Sequence, residues 1–95
     1  MSNNKTENVV FIGQKPPMSY VMACFEIVNK GLKEVVLKAR GRAISRAVDV
    51  AEIARTKVMK DKVEVSDIVT GTEMIESRDR GKFSVSTIEI TLKVL

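Results

Sequence analysis

Four cations fall within nine positions in Lys38-Ala39-Arg40-Gly41-Arg42-Ala43-Ile44-Ser45-Arg46, with no acid among them. Guanidinium groups offer forked donors that match phosphate oxygens two at a time. The segment straddles the end of a strand-like run and the start of a helical stripe, so unpaired helix N–H groups would point at the same anion. A helix start carries partial positive charge, which for stability favours Asp or Glu over Arg42, and Arg46 repeats the like charge one turn on. A choice that local stability disfavours points to function, here the gripping of phosphate. The plainer alternative is a solvated face paired with Asp49, Glu52 or a neighbouring strand. So few acids stand close by in sequence that the functional reading is preferred.

Two further groups carry the same chemistry. Ser77-Arg78-Asp79-Arg80-Gly81-Lys82 alternates three cations around a glycine that can take positive φ, the composition of a hairpin tip. A protruding basic tip suits a groove of duplex nucleic acid, although charged tips are also ordinary solvated turns. Gly13-Gln14-Lys15-Pro16-Pro17 is a loop between a strand and a helix, with Lys15 placed to meet phosphate. Its glycine and lysine do not have the spacing of a nucleotide-binding P-loop, and that reading is rejected.

Other chemistries lack their residues. The 95 residues contain no histidine, which removes Ser-His-Asp and Cys-His arrangements. The single Cys24 cannot close an internal disulfide or build a Cys/His zinc site within one chain, which fits a reducing compartment. A metal-dependent nuclease would need clustered carboxylates, and the nearest set, Asp61, Glu64 and Asp67, has the look of ordinary surface charge. Val21 to Val28 is far too short to span a bilayer, and residues 2–8 do not have the character of a targeting signal. Sixteen basic against twelve acidic residues, net +4 with a pI near 9.4, favour anionic partners. With 44% hydrophobic residues there is enough for one modest core, and a chain of this size gains from oligomerising.

The elements that must position these cations follow from periodicity. Residues 1–7 form a polar tail, and residues 8–95 one domain. Val9-Val10-Phe11-Ile12 before Gly13 predicts a central strand buried on both faces. Met18, Val21, Met22, Phe25 and Val28 predict a helix from about Pro17 to Lys30, stopped by Gly31. Glu34 to Leu37 is strand-like, and Ile44, Ala47, Val48, Ala51, Ala54 and Val58 form a second helical stripe. Val63 and Val65 open a long strand running through Ile68 and Met74. Ile88, Ile90, Leu92 and Val94 alternate with polar residues in a last strand that pairs with it. Phe83 and Val85 fall out of phase with that alternation, which predicts a bulge near Ser86-Thr87. Tyr20 and Phe83 are read as packing residues. Met18, Met22 and Cys24 could form a soft apolar contact surface, but their spacing favours burial.

Asn8 to Gly13, Lys15-Pro16, the long segment Lys38 to Asp49 and Val85-Ser86-Thr87-Ile88-Glu89-Ile90 closely resemble the Alba family of archaeal chromatin proteins, and the resemblance covers nearly the whole chain. It implies an α+β βαβαββ fold in two layers, with two helices on a four-stranded mixed sheet and a protruding basic hairpin. It also implies a homodimer, with further assembly on DNA, binding to double-stranded DNA with little sequence preference, DNA compaction and RNA binding. No enzymatic activity, cofactor, membrane or small-molecule substrate is implied, and the location is cytoplasmic and chromosome-associated.

Carried over by position, the nucleic-acid-facing residues are Gln14, Lys15, Lys38, Arg40, Gly41, Arg42 and Arg46 on the body, with Arg78, Arg80 and Lys82 on the hairpins. The family commonly has two lysines after the loop glycine, the first an acetylation site. Gln14 stands in that place, neutral and similar to acetyl-lysine, which implies weaker binding and no acetyl switch there; Lys15 remains open to modification. Val58 stands where many relatives have a phenylalanine that joins dimers along DNA. An alternative within the same class is an RNA-binding subunit of a ribonucleoprotein such as ribonuclease P, a role in which relatives occur.

Overall fold

The computed structural model describes residues 7–95, so the tail expected over residues 1–7 lies outside the described residues except for Glu7. The elements are β1 (Val9–Phe11), α1 (Pro17–Asn29), β2 (Glu34–Arg40), α2 (Ile44–Ile53), β3 (Val63–Ser77) and β4 (Gly81–Val94). A 3₁₀ turn, Gly41–Ala43, leads into α2, and a wider π-type turn, Ala54–Val58, leaves it. The strands form one mixed sheet in the order β1-β2-β4-β3, with β1 parallel to β2 and the other pairs antiparallel. This is the expected α+β βαβαββ architecture.

The core lies on one face of the sheet. Val10 of β1, Val35, Leu37 and Ala39 of β2, Val63 of β3 and Ile88, Ile90 and Leu92 of β4 meet Tyr20, Val21, Cys24 and Ile27 of α1 and Ala47, Val50 and Ala51 of α2. Both helices therefore cover the same side. Strand periodicity then sends Phe11, Lys38, Arg40, Thr87 and Glu89 to the opposite, uncovered face.

Four sequence expectations are corrected. β1 is not central: it is a three-residue edge strand, Ile12 lies just beyond it, and Phe11 is 66% exposed. An apolar run reads alike in both settings, and only the sheet order decides. Met18 and Met22 are exposed rather than buried, because α1 is apolar around much of its surface and packing selects the stripe through Tyr20, Val21, Cys24 and Ile27. Val48 of α2 is likewise exposed.

The irregularity expected near Ser86-Thr87 is absent from β4, whose pairing there is regular, and it sits instead in β3 between Val65 and Asp67. Val65 pairs with Leu92 and Ile68 with Ile90, so one inserted residue moves the inward-facing set from odd to even positions. Phe83 and Val85 need no bulge. They leave the phase of the core because the arm lies beyond the helices, where Ile75 opposite Phe83 is half-buried on the other face.

Candidate nucleic-acid interface

Three segments bring the predicted cations onto the surface. The first is the loop after β1. The Tyr20 hydroxyl accepts hydrogen bonds from the backbone N–H groups of Gly13 and Lys15, at 2.9 and 3.0 Å, and so bends the loop around the start of α1. Gly13 eases this approach, since a Cβ there would lie 3.3 Å from the same hydroxyl, a tight contact that the ring would have to relieve by a small shift. From the other side Arg46 of α2 donates through Nη1 to the Gly13 carbonyl at 2.7 Å. The loop bearing Gln14 and Lys15, both exposed, is thus clamped against the first turn of α2.

The second segment is the junction of β2 and α2. Arg40 ends the strand in extended conformation, and Gly41 at φ 58° turns the chain into the 3₁₀ turn that holds Arg42. A residue with a Cβ is disfavoured in that left-handed conformation. No acid stands in the first turn of α2, so the positive helix end is uncompensated there. Arg42 is exposed, and neither it nor the Lys15 side chain makes a hydrogen bond or ion pair with another described residue.

The basic cluster divides by strand parity. Lys38 and Arg40 project from the uncovered face of β2 and meet acids from distant strands. Arg40 Nη1 lies 2.8 Å from Glu73 Oε1 on β3, and Lys38 Nζ lies 3.6 Å from Glu89 Oε2 on β4. Glu52 is engaged elsewhere, in a two-point pair with Arg55 at 2.7 Å that holds its carboxyl below the usual range. The acids near in sequence therefore do not neutralise the cluster, whereas acids from β3 and β4 meet two of its four members. Such exposed pairs contribute little to stability and yield to a competing anion.

The third segment is the hairpin. β3 and β4 extend to Ser77 and from Gly81, and Arg78, Asp79 and Arg80 make the turn. The N–H groups of Asp79 and Arg80 donate to Ser77 Oγ, and Gly81 takes φ 72°. The Arg80 guanidinium carbon sits 5.3 Å from the centre of the Phe83 ring, a stacking contact that steadies one tip cation. Arg78 and Lys82 are exposed beside it.

Sequence reasoning missed four residues here: Tyr20 as the loop anchor, Glu73 and Glu89 as partners of the cations, and Phe11 as an exposed ring. For Tyr20 a signal existed, since a buried tyrosine hydroxyl needs a hydrogen-bonding partner. Pairing register, which sequence does not give, hides the others. Among the described residues no group of three or more His, Cys, Asp or Glu side chains could hold a metal ion, and Asp61, Glu64 and Asp67 form no such group. No described helix is long and apolar enough to cross a membrane.

Fold and surface together define a class: a small α+β protein that presents cations from a clamped loop, a helix start and an extended hairpin. The family model described as Alba matches residues 8–72. The chain is 52% identical over 87 residues to the DNA/RNA-binding protein Alba of Methanocella arvoryzae, covering 92% of this chain and 90% of that one. With the DNA/RNA-binding protein Alba 1 of Archaeoglobus fulgidus it shares 56% identity over 86 residues, 90% of this chain and 94% of the relative. The solved structure of Alba from Thermoplasma volcanium superposes with a TM-score of 0.84 at 44% identity, covering 90% of this chain and 99% of that one. The chain belongs to the Alba family.

Proposed function

We propose that this protein is a non-enzymatic architectural protein that binds duplex DNA through its phosphates with little regard to sequence, compacts it, and also binds RNA. The observation that carries the reading is the clamped loop. Tyr20 and Arg46 fix the backbone carrying Lys15 against α2, beside a helix start whose Arg42 has no partner among the described residues. Cations carried on a held backbone, together with helix N–H groups, match a phosphate backbone, and nothing in their arrangement selects a base. Gln14, Lys38, Arg40, Gly41 and Arg46 complete the body of this interface, and Arg78, Arg80 and Lys82 reach flanking groove. The relatives named DNA/RNA-binding proteins support both ligands. Residues 8–95 act as one unit, located on the chromosome in the cytoplasm.

The active form in this reading is a homodimer. Ile68 is 56% exposed on the helix-bearing side of β3, and Val48 is 43% exposed on α2. Apolar side chains in these positions suit a partner that packs against α2 and β3.

Fluorescence anisotropy on duplex DNA across a salt series tests the proposal. A dimer neutralising about 6 to 10 phosphates loses on the order of 10³ to 10⁵ in affinity between about 50 and about 200 mM salt. Lys15→Ala with Arg42→Ala flattens the slope by about one for each contact removed. Binding that is insensitive to salt contradicts the proposal, and binding confined to one structured RNA selects the ribonucleoprotein alternative.

A further inference from the structure

The uncovered face of the sheet carries a feature that phosphate gripping does not use. Phe11, on edge strand β1, is 66% exposed there, although its side chain is large and apolar. It borders a groove of about 680 Å³ whose other walls include Lys38, Arg40, Glu73, Thr87 and Glu89. Opposite Thr87, one of these wall residues, β3 carries a glycine in its interior. Gly71 pairs with Thr87, and a Cβ at position 71 would lie 3.0 Å from Thr87 Oγ1. Glycine weakens a strand interior and marks places where another group approaches the backbone closely.

We propose that this groove receives an unpaired base of a single-stranded RNA, stacked on Phe11 and with guanine preferred. The proposal rests on the nucleic-acid-binding reading above and adds to it a base-contacting subsite, centred on Phe11, that shares Lys38 and Arg40 with that interface. An exposed ring beside cations on an open sheet is the arrangement on which single-stranded bases stack, and bases in a duplex keep their faces covered. The groove holds donors and acceptors side by side: Arg40 at 2.8 Å from Glu73, and Lys38 at 3.6 Å from Glu89. Guanine matches such a lining in both senses, because its N1–H and amino group donate to a carboxylate while O6 and N7 accept from a guanidinium. The pairs are exposed, so turning their groups toward a base costs little. The side of the sheet assigned above to dimerisation is the other one, which leaves this groove open in the dimer.

The test uses the full chain with three probes: a G-containing single-stranded RNA, a U-only single-stranded RNA, and duplex DNA. Phe11→Ala weakens the G-containing strand by roughly 5- to 150-fold, the range for loss of one base–aromatic stack, and leaves duplex DNA unchanged. Phe11→Tyr restores the single-strand affinity, and the fluorescence of Phe11→Trp is quenched by the single strand and not by the duplex. Exposure of the ring makes these variants benign for folding, which a thermal melt verifies. Equal losses on single strand and duplex, or no loss on the single strand, overturn the proposal while steep, salt-dependent duplex binding keeps the earlier reading intact. Failure to bind any of the three probes overturns both.

Discussion

Cys24 shows how one side chain on α1 is fixed by its surroundings. It is fully buried between the helices and the sheet, and burial pushes its thiol from 9.0 up to about 12. In the unfolded chain the thiol ionises first as pH rises. Its contribution to stability is therefore whole below about pH 9.0 and is withdrawn as pH climbs toward 12, with a slope approaching about 1.4 kcal/mol per pH unit. Urea midpoints measured on either side of pH 9.0 should show this extra decline in the native protein and not in Cys24→Ala. Identical declines in both would mean that the thiol reaches water. The same residue is inert at neutral pH, since reactivity belongs to the thiolate.

At the scale of elements, the decisive contacts join segments that are not neighbours in sequence. The β1–α1 loop has no regular structure of its own, and Tyr20 from α1 and Arg46 from α2 give it one. Tyr20→Phe keeps the ring and removes the acceptor shared by two backbone N–H groups. We expect a loss of about 1 to 3 kcal/mol in urea denaturation and weaker duplex binding, because Lys15 is no longer held in place. Unchanged stability and affinity would show that water replaces the hydroxyl at no cost. The element order was legible from periodicity, and so were the length of α1 and the hairpin tip. The side of the sheet on which Lys38 and Arg40 would find Glu89 and Glu73 was not. Those pairs depend on β4 lying between β2 and β3, and an antiparallel register is set by long-range packing that a local pattern does not contain.

At the scale of the whole molecule, the bulge in β3 has the widest consequence. By shifting the inward set from Val65 to Ile68, it keeps an apolar residue on the helix-bearing side beyond the monomer's own core, where a second copy can cover it. Ile68→Lys should halve the mass seen by light scattering and reduce the salt slope on duplex DNA by about half, since each protomer then brings its cations alone. Wild-type protein that is monomeric at every concentration would remove the dimer from the proposal.

The sequence by itself determined the order of strands and helices, through periods of two and 3.6, and located the basic segments, because both are written in residues a few positions apart. Its resemblance to the Alba family was legible for the same reason, in the run from Lys38 to Asp49. Tertiary structure alone decided that β1 is an edge strand and that Phe11 is bare. It also decided that α1 turns Met18 outward, and that two of the four clustered cations face acids while Arg46 clamps the Gly13 loop. Each of these depends on which face of an element meets which neighbour. An apolar run that could be buried on several sides does not fix that choice until the helices have chosen one face of the sheet.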